Sequence, residues 1–277
     1  MHFSGNLPNT TLMTTETPSN YDNLETQPTA TLLASMNQLD QTVPLAVHRA
    51  LPQLERLVEA TVARLRAGGR LFYIGAGTSG RLGVVDASEC PPTFGVPAGM
   101  VIGIMAGGDG AIRQAVEGAE DNATQAWQDL LQFGANAQDV VVGLAASGRT
   151  PYVVGGLQAA RAAGLATGCV VCNAGSAVAA ACELPVEVVT GPEFITGSTR
   201  LKAGTAQKLA LNMLTTATFI RLGRVKGNKM VDMQLTNDKL VDRGQRMLME
   251  ELGIAQPAAA ELLRQHGSVR AALAAAR

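Results

Sequence analysis

Short apolar runs recur along this chain, each ending in a glycine- or hydroxyl-rich loop that opens a helical stretch. Residues 71–74, 100–105, 140–144 and 168–171 are such runs, and 184–189 is a plausible fifth. Between them, apolar residues recur at helical spacing over 111–133, 152–163 and 176–182. Continuous rather than alternating apolar strands, interleaved with helices, require a parallel sheet covered on both faces. The expectation is therefore an α/β fold of three layers. From Pro44 a helix precedes the first strand, with Leu51, Leu54, Val58, Val62 and Leu65 on one face and Gly68-Gly69 as its stop. A long apolar helix over 200–222 carries Arg200, Lys202 and Lys208, which makes it a core or dimer helix rather than a membrane span. The division expected is a polar arm over 1–43, a sheet domain over 44–225 and a helical segment over 226–277.

The 277 residues are 47% hydrophobic and 16% charged, against a usual charged share of roughly 25%, so a well-buried globule is expected and disorder is not. With 22 basic and 23 acidic residues the net charge is −1, which argues against a nucleic-acid surface. The first twenty residues lack the basic and apolar regions of a leader, and the long uncharged stretches are broken by Gly and Pro. A cytoplasmic protein with four reduced cysteines is expected.

Gly75-Ala76-Gly77-Thr78-Ser79-Gly80 joins a strand to a helix and fits the dinucleotide fingerprint. The acid that nicotinamide binding wants near the end of the second strand is missing, since the first acid after that run is Asp109. Cys90-Pro91-Pro92 also breaks the chain where a crossover helix should run. A second use of the loop is phosphate binding by backbone N–H groups, with Thr78 and Ser79 as hydroxyl donors and Arg81 as charge. A third is a tight turn alone. Ala146-Ser147-Gly148-Arg149-Thr150-Pro151 repeats the pattern after the third strand, with Pro151 at a first helical position. Two such loops at one sheet edge converge on one anion more readily than two unrelated turns would.

These loops, with Ser198-Thr199-Arg200-Leu201-Lys202 downstream, resemble the SIS (sugar isomerase) family of phosphosugar-binding folds. The residues 86–93, 116–121, 196–205 and 227–232, with Thr15-Glu16 near the start, are more closely similar to the N-acetylmuramic acid 6-phosphate etherase family. The last stretch departs from it, being shortened between Leu252 and Gln265. The resemblance implies a lyase that eliminates D-lactate from the ether at sugar carbon 3 and adds water, in peptidoglycan amino-sugar recycling, with no cofactor or metal. It implies Gly77, Thr78, Ser79, Arg81, Ser147, Gly148 and Thr150 around the phosphate, and Ser198, Arg200 and Lys202 near substrate charge. It also implies a homodimer with its site at the subunit interface. SIS folds occur in non-catalytic sensors too, so fold alone does not decide.

Elimination and hydration need positioned acids and bases. His2, His48 and His266 sit in the arm, a surface-type helix and the tail, and read as solvated. Glu89 and Glu120 match the family's catalytic carboxylates. Glu89 is expected in a loop beside Cys90-Pro91-Pro92, an apolar setting that raises proton affinity. Glu120 shares a helical face with Glu117, a pattern that equally fits a solvated helix surface. Cys169-Val170-Val171-Cys172 lacks the second ligand pair of a zinc site and, on a strand, points its thiols to opposite faces.

Overall fold

In the computed structural model, which describes residues 13–276, five parallel strands form one sheet in the order β2-β1-β3-β4-β5. They are β1 (Leu71–Gly75), β2 (Val101–Met105), β3 (Val140–Ala145), β4 (Ala166–Val171) and β5 (Leu184–Glu187). Side chains alternate between two cores, as the pleat requires. Leu71, Tyr73, Val140, Val142 and Val170 pack with α2 (Thr42–Arg66), α3 (Gly77–Phe94) and α7 (Lys202–Arg221). Phe72, Ile74, Val141, Cys169 and Val171 pack with α4 (Gln125–Gln132), α5 (Pro151–Ala162) and α6 (Ala177–Ala180). The three-layer parallel fold is thus the one expected. Cys169 and Cys172 lie in opposite cores and cannot share a metal. Among the described residues, no helix is long and apolar enough to cross a membrane. His2 and the first part of the arm lie outside the described residues.

Three expectations need correction. The arm contains a helix, α1 (Thr29–Asp40), none of whose residues is buried. Pro91 and Pro92 do not break the first crossover, because both lie inside α3 near its end. Burial of Ala87, Cys90 and Phe94 against α2 and α7 outweighs the backbone hydrogen bonds that the two prolines remove. The stretch 111–133 is not one helix. Short 3-10 turns at Asp109–Ile112 and Ala119–Asp121 flank irregular chain, and α4 starts only at Gln125. Gly118 takes φ +70° there, and the Asn122 side chain accepts the Thr124 N–H, a turn that competes with helix.

The C-terminal helices α8 (Asp238–Leu252), α9 (Gln256–His266) and α10 (Val269–Ala275) build a third, small core around Leu248, Leu263 and Leu273. It attaches to the end of α3, where the Gln234 N–H donates to the Pro92 carbonyl. Arg270 pairs with Asp232 beside it.

The irregular chain before α4 is seated directly on α5. A Cβ at Gly155 would lie 1.8 Å from the Ala123 carbonyl oxygen, so only glycine permits this approach. Overpacking of this kind costs about 1–3 kcal/mol. Gly155→Ala should lower the melting temperature by about 2–10 °C, whereas Gly110→Ala, with open space around it, should not. Differential scanning fluorimetry of the two variants checks this, and equal melting temperatures would refute it.

Candidate active site

The order of the strands decides where a ligand can sit. From β1 the chain crosses through α3 to β2 on one side, and from β3 it crosses through α5 to β4 on the other. The connections therefore diverge between neighbouring strands β1 and β3, leaving a crevice at their carboxyl ends, the usual ligand position of an open parallel sheet. The two hydroxyl-rich loops flank this crevice. Gly75 pairs with Leu144 across it, and α3 and α5 both start there with their N–H groups toward the opening.

A cavity of about 190 Å³ adjoins the crevice on the β2 side. It is lined by Gly77 and Arg81 of the first loop and by Glu117, Gly118 and Glu120 of the turn before α4. Glu120 thus lines one cavity with the first hydroxyl-rich loop, and it lies on an exposed turn rather than on the helix face expected. The Arg81 guanidinium donates to the Ile112 and Ala111 carbonyls at 2.8 and 2.9 Å, tying the Asp109–Ile112 turn to α3.

The other expected residues divide. Thr78 is half-buried at the crevice, close to Gly204 of α7. Ser79 is buried and donates its hydroxyl proton to Gln207 Oε1 at 2.8 Å, so that proton joins α3 to α7 instead of meeting a ligand. Ser147 and Thr150 are half-buried on the second loop, and Gly148 between them has φ +74°. Lys202 is buried, with its Nζ donating to the Thr190 carbonyl at 2.8 Å. Arg200, which is exposed, and the buried Lys202 line a separate cavity of about 150 Å³ with Met36 and Asp40 of α1. Ser198 lies in the loop just before them. The structure thus groups Arg200 and Lys202 with the arm helix, not with Glu120.

Glu89 departs most from expectation. It lies on α3, not in a loop, and it is exposed, so the apolar setting expected for it is absent from this chain. It lies twelve residues beyond Gly77. At about 1.5 Å rise per residue, that is about 18 Å down the helix from the first hydroxyl-rich loop. Glu89 is not among the residues that line the cavity beside Glu120.

Buried polar groups that the sequence reading did not single out hold these elements together. Glu193, 1% exposed, accepts the Lys202 and Ala203 N–H groups, both at 2.9 Å, and so caps α7. Burial raises its proton affinity, against those two donors and the Lys202 charge. Burial lowers the Lys202 pKa, opposed by Glu193 and Asp40. Asp86, 6% exposed and one turn before Glu89, accepts from Tyr73, Asn212 and Thr215 at 2.9, 3.2 and 3.2 Å. Asn173, at the end of β4, ties the second loop to the N-terminal segment. Its place after a parallel strand was the available signal.

The open parallel sheet, with hydroxyl loops at its switch point, has the SIS fold. Residues 53–161 match the glucokinase regulatory protein N-terminal SIS domain. A phosphoheptose isomerase from Francisella tularensis superposes with TM-score 0.53 at 17% identity, covering 69% of this chain and 98% of that one. A putative phosphosugar isomerase involved in capsule formation from Bacteroides fragilis gives 0.52 at 20%, covering 71% and 98%. These likenesses carry the fold. N-acetylmuramic acid 6-phosphate etherase of Christiangramia forsetii is 61% identical over 94% of both chains. That of Cronobacter sakazakii is 55% identical over 91% of this chain and 84% of its own. The chain belongs to the N-acetylmuramic acid 6-phosphate etherase family.

The Asp86 joint has a measurable signature. Burial raises the Asp86 pKa above its ordinary value of 3.8, with the three hydrogen bonds opposing. The folded state therefore holds this proton where the unfolded chain has released it. That contribution to stability is full below the ordinary value and is lost as pH rises through the raised one. The melting-temperature difference between Asp86→Asn and the parent should therefore shift in the variant's favour as pH rises from about 3.8. A difference independent of pH would contradict the assignment.

Proposed function

We propose that this chain cleaves the D-lactyl ether of N-acetylmuramic acid 6-phosphate, giving N-acetylglucosamine 6-phosphate and D-lactate. The observation that carries the reading is the pair of hydroxyl loops on one crevice, with Glu120 beside the first of them, in a chain 61% identical to a named etherase. The crevice is suited to the 6-phosphate. Backbone N–H groups at the starts of α3 and α5 open on it, and the hydroxyls of Thr78, Ser147 and Thr150 belong to its two loops. In the ring-opened sugar the C1 aldehyde acidifies the C2 proton. A carboxylate removes that proton, the C3–O bond breaks, and lactate leaves with a proton from a second carboxyl group. Water then adds at C3 and a proton returns to C2. Glu89 and Glu120 divide these transfers. Arg81 ties the Asp109–Ile112 turn, from which the chain runs on to Glu120, to α3.

The distance from Gly77 to Glu89 supports a homodimer in which each site takes Glu89 from the partner. The outer face of α7 presents Leu209, Met213, Ala217 and Ile220, of which Met213 and Ile220 are 41% and 49% exposed. Leu51 of α2 lines a neighbouring apolar surface with Met213 and Ala217, Val85 on α3 is exposed one turn before Glu89, and Asn212 of α7 bonds Asp86. A second copy seated there covers the apolar face and brings Glu89 to a neighbouring crevice. Lys202 and Arg200, beside α1, would bear on substrate charge only from the rim of the site. A cytoplasmic enzyme fits a substrate released by cell-wall turnover.

Purified protein should release D-lactate from N-acetylmuramic acid 6-phosphate without added metal or nucleotide. In deuterated water the product should carry deuterium at C2. Binding of the sugar without lactate release over hours would overturn the reading in favour of a sensor. Glu89→Ala and Glu120→Ala should each lose activity. Mixing the two and allowing subunit exchange should restore roughly one quarter of the parent rate, because half the dimers then hold one complete site. No recovery on mixing would place both carboxylates in one chain.

A further inference from the structure

We infer that Asn173 is a positioning residue for the phosphate loop and that residues 14–21 are built into the site. The inference rests on the reading that Ser147 and Thr150 hold the 6-phosphate. Asn173 is 1% exposed and lies immediately beyond Cys172 at the carboxyl edge of the sheet. Its side chain makes five hydrogen bonds. Oδ1 accepts the Thr15 N–H at 3.2 Å and the Thr14 hydroxyl at 2.9 Å. Nδ2 donates to Thr15 Oγ1 at 2.8 Å, to the Ser147 carbonyl at 3.1 Å and to the Ala146 carbonyl at 3.2 Å. The backbone N–H of Thr15 fixes which end of the amide is oxygen, so the NH₂ must face the loop carbonyls.

Two consequences follow from this geometry. The Ala146 and Ser147 carbonyls are both engaged by Asn173, and the Ala146 carbonyl also accepts the Cys172 N–H. The N-terminal segment is fastened to the same hub, since Thr15 is fully buried. From there it continues across the site's rim. The Ser19 N–H donates to Thr196 Oγ1 at 2.9 Å, its hydroxyl donates to the Phe194 carbonyl at 2.8 Å, and the Tyr21 ring lies 4.8 Å from that of Phe194. Glu16 faces Gly197, where a Cβ would come within 3.4 Å of its Oε2. The segment thus links the Ser147 loop to the loop that leads to Ser198 and Arg200.

Asn173→Asp retains shape but sets a carboxylate against two carbonyl oxygens. Binding of N-acetylglucosamine 6-phosphate, followed by calorimetry, should weaken about tenfold. KM for the muramic substrate should rise by a similar factor with kcat within about twofold. Thr15→Val, which removes one bond to the hub at constant volume, should move Kd and KM the same way by less. The double variant should be no weaker than Asn173→Asp alone, because both act through one amide. Simple loss of folded protein would lower kcat and leave Kd unchanged. Unchanged Kd in either folded variant, or losses that add, overturns the inference while Ser147→Ala still weakens binding. If Ser147→Ala leaves binding unchanged, the phosphate-site reading itself falls and takes the inference with it.

Discussion

Gly75 and Gly80 meet backbone to backbone, and the geometry of the crevice depends on that approach. A Cβ on Gly75 would stand 2.9 Å from Gly80 Cα, and one on Gly80 would stand 2.8 Å from the Gly75 oxygen. Because both are glycine, α3 begins almost on top of the strand that precedes it, and its first N–H groups open on the crevice between β1 and β3. The same start sets where every later residue of α3 falls. Arg81 reaches the 111–112 carbonyls, Asp86 reaches Tyr73 and α7, and Glu89 is carried to the far end.

Around this start the protein uses buried polar joints where an apolar core alone would leave helices free to slide. Ser79 with Gln207 fixes α3 against α7 near the crevice. Asp86 with Thr215 and Asn212 fixes the same pair further along. Each group costs desolvation and is stabilised only because its partners are supplied. Glu193 is a related case: its carboxylate replaces the missing acceptors for the first N–H groups of α7, a helix that begins with a basic residue. A carboxylate there offsets the unfavourable placement of Lys202.

The sheet and its loops were legible because apolar runs and glycine loops are local signals. Strand ends differ from expectation by a residue or two, as at Ala166–Val171. The Glu120 segment has helical apolar spacing, but Gly118 and the Asn122 turn decide its backbone. The two prolines misled in the opposite sense, since burial of Cys90 and Phe94 is a tertiary effect that no local rule contains. Glu89 and Glu120 were found by family likeness, not by pattern. Their separation could not be seen without the helix on which Glu89 rides. Asn173 bonds across a long sequence distance and Glu193 across an irregular loop to a residue nine positions on, and neither sits in a motif that announces it.

An α-helix resists change of length, and α3 joins two places where ligand chemistry is expected. On the two-copy reading its first turn belongs to one reaction centre and its fourth to the other. A shift of Gly77 on anion entry would then arrive at Glu89 as a displacement of a stiff rod, with little lost to the packed core around it. The pair of centres would be geared to each other, and occupancy of one would be felt as alignment of the other.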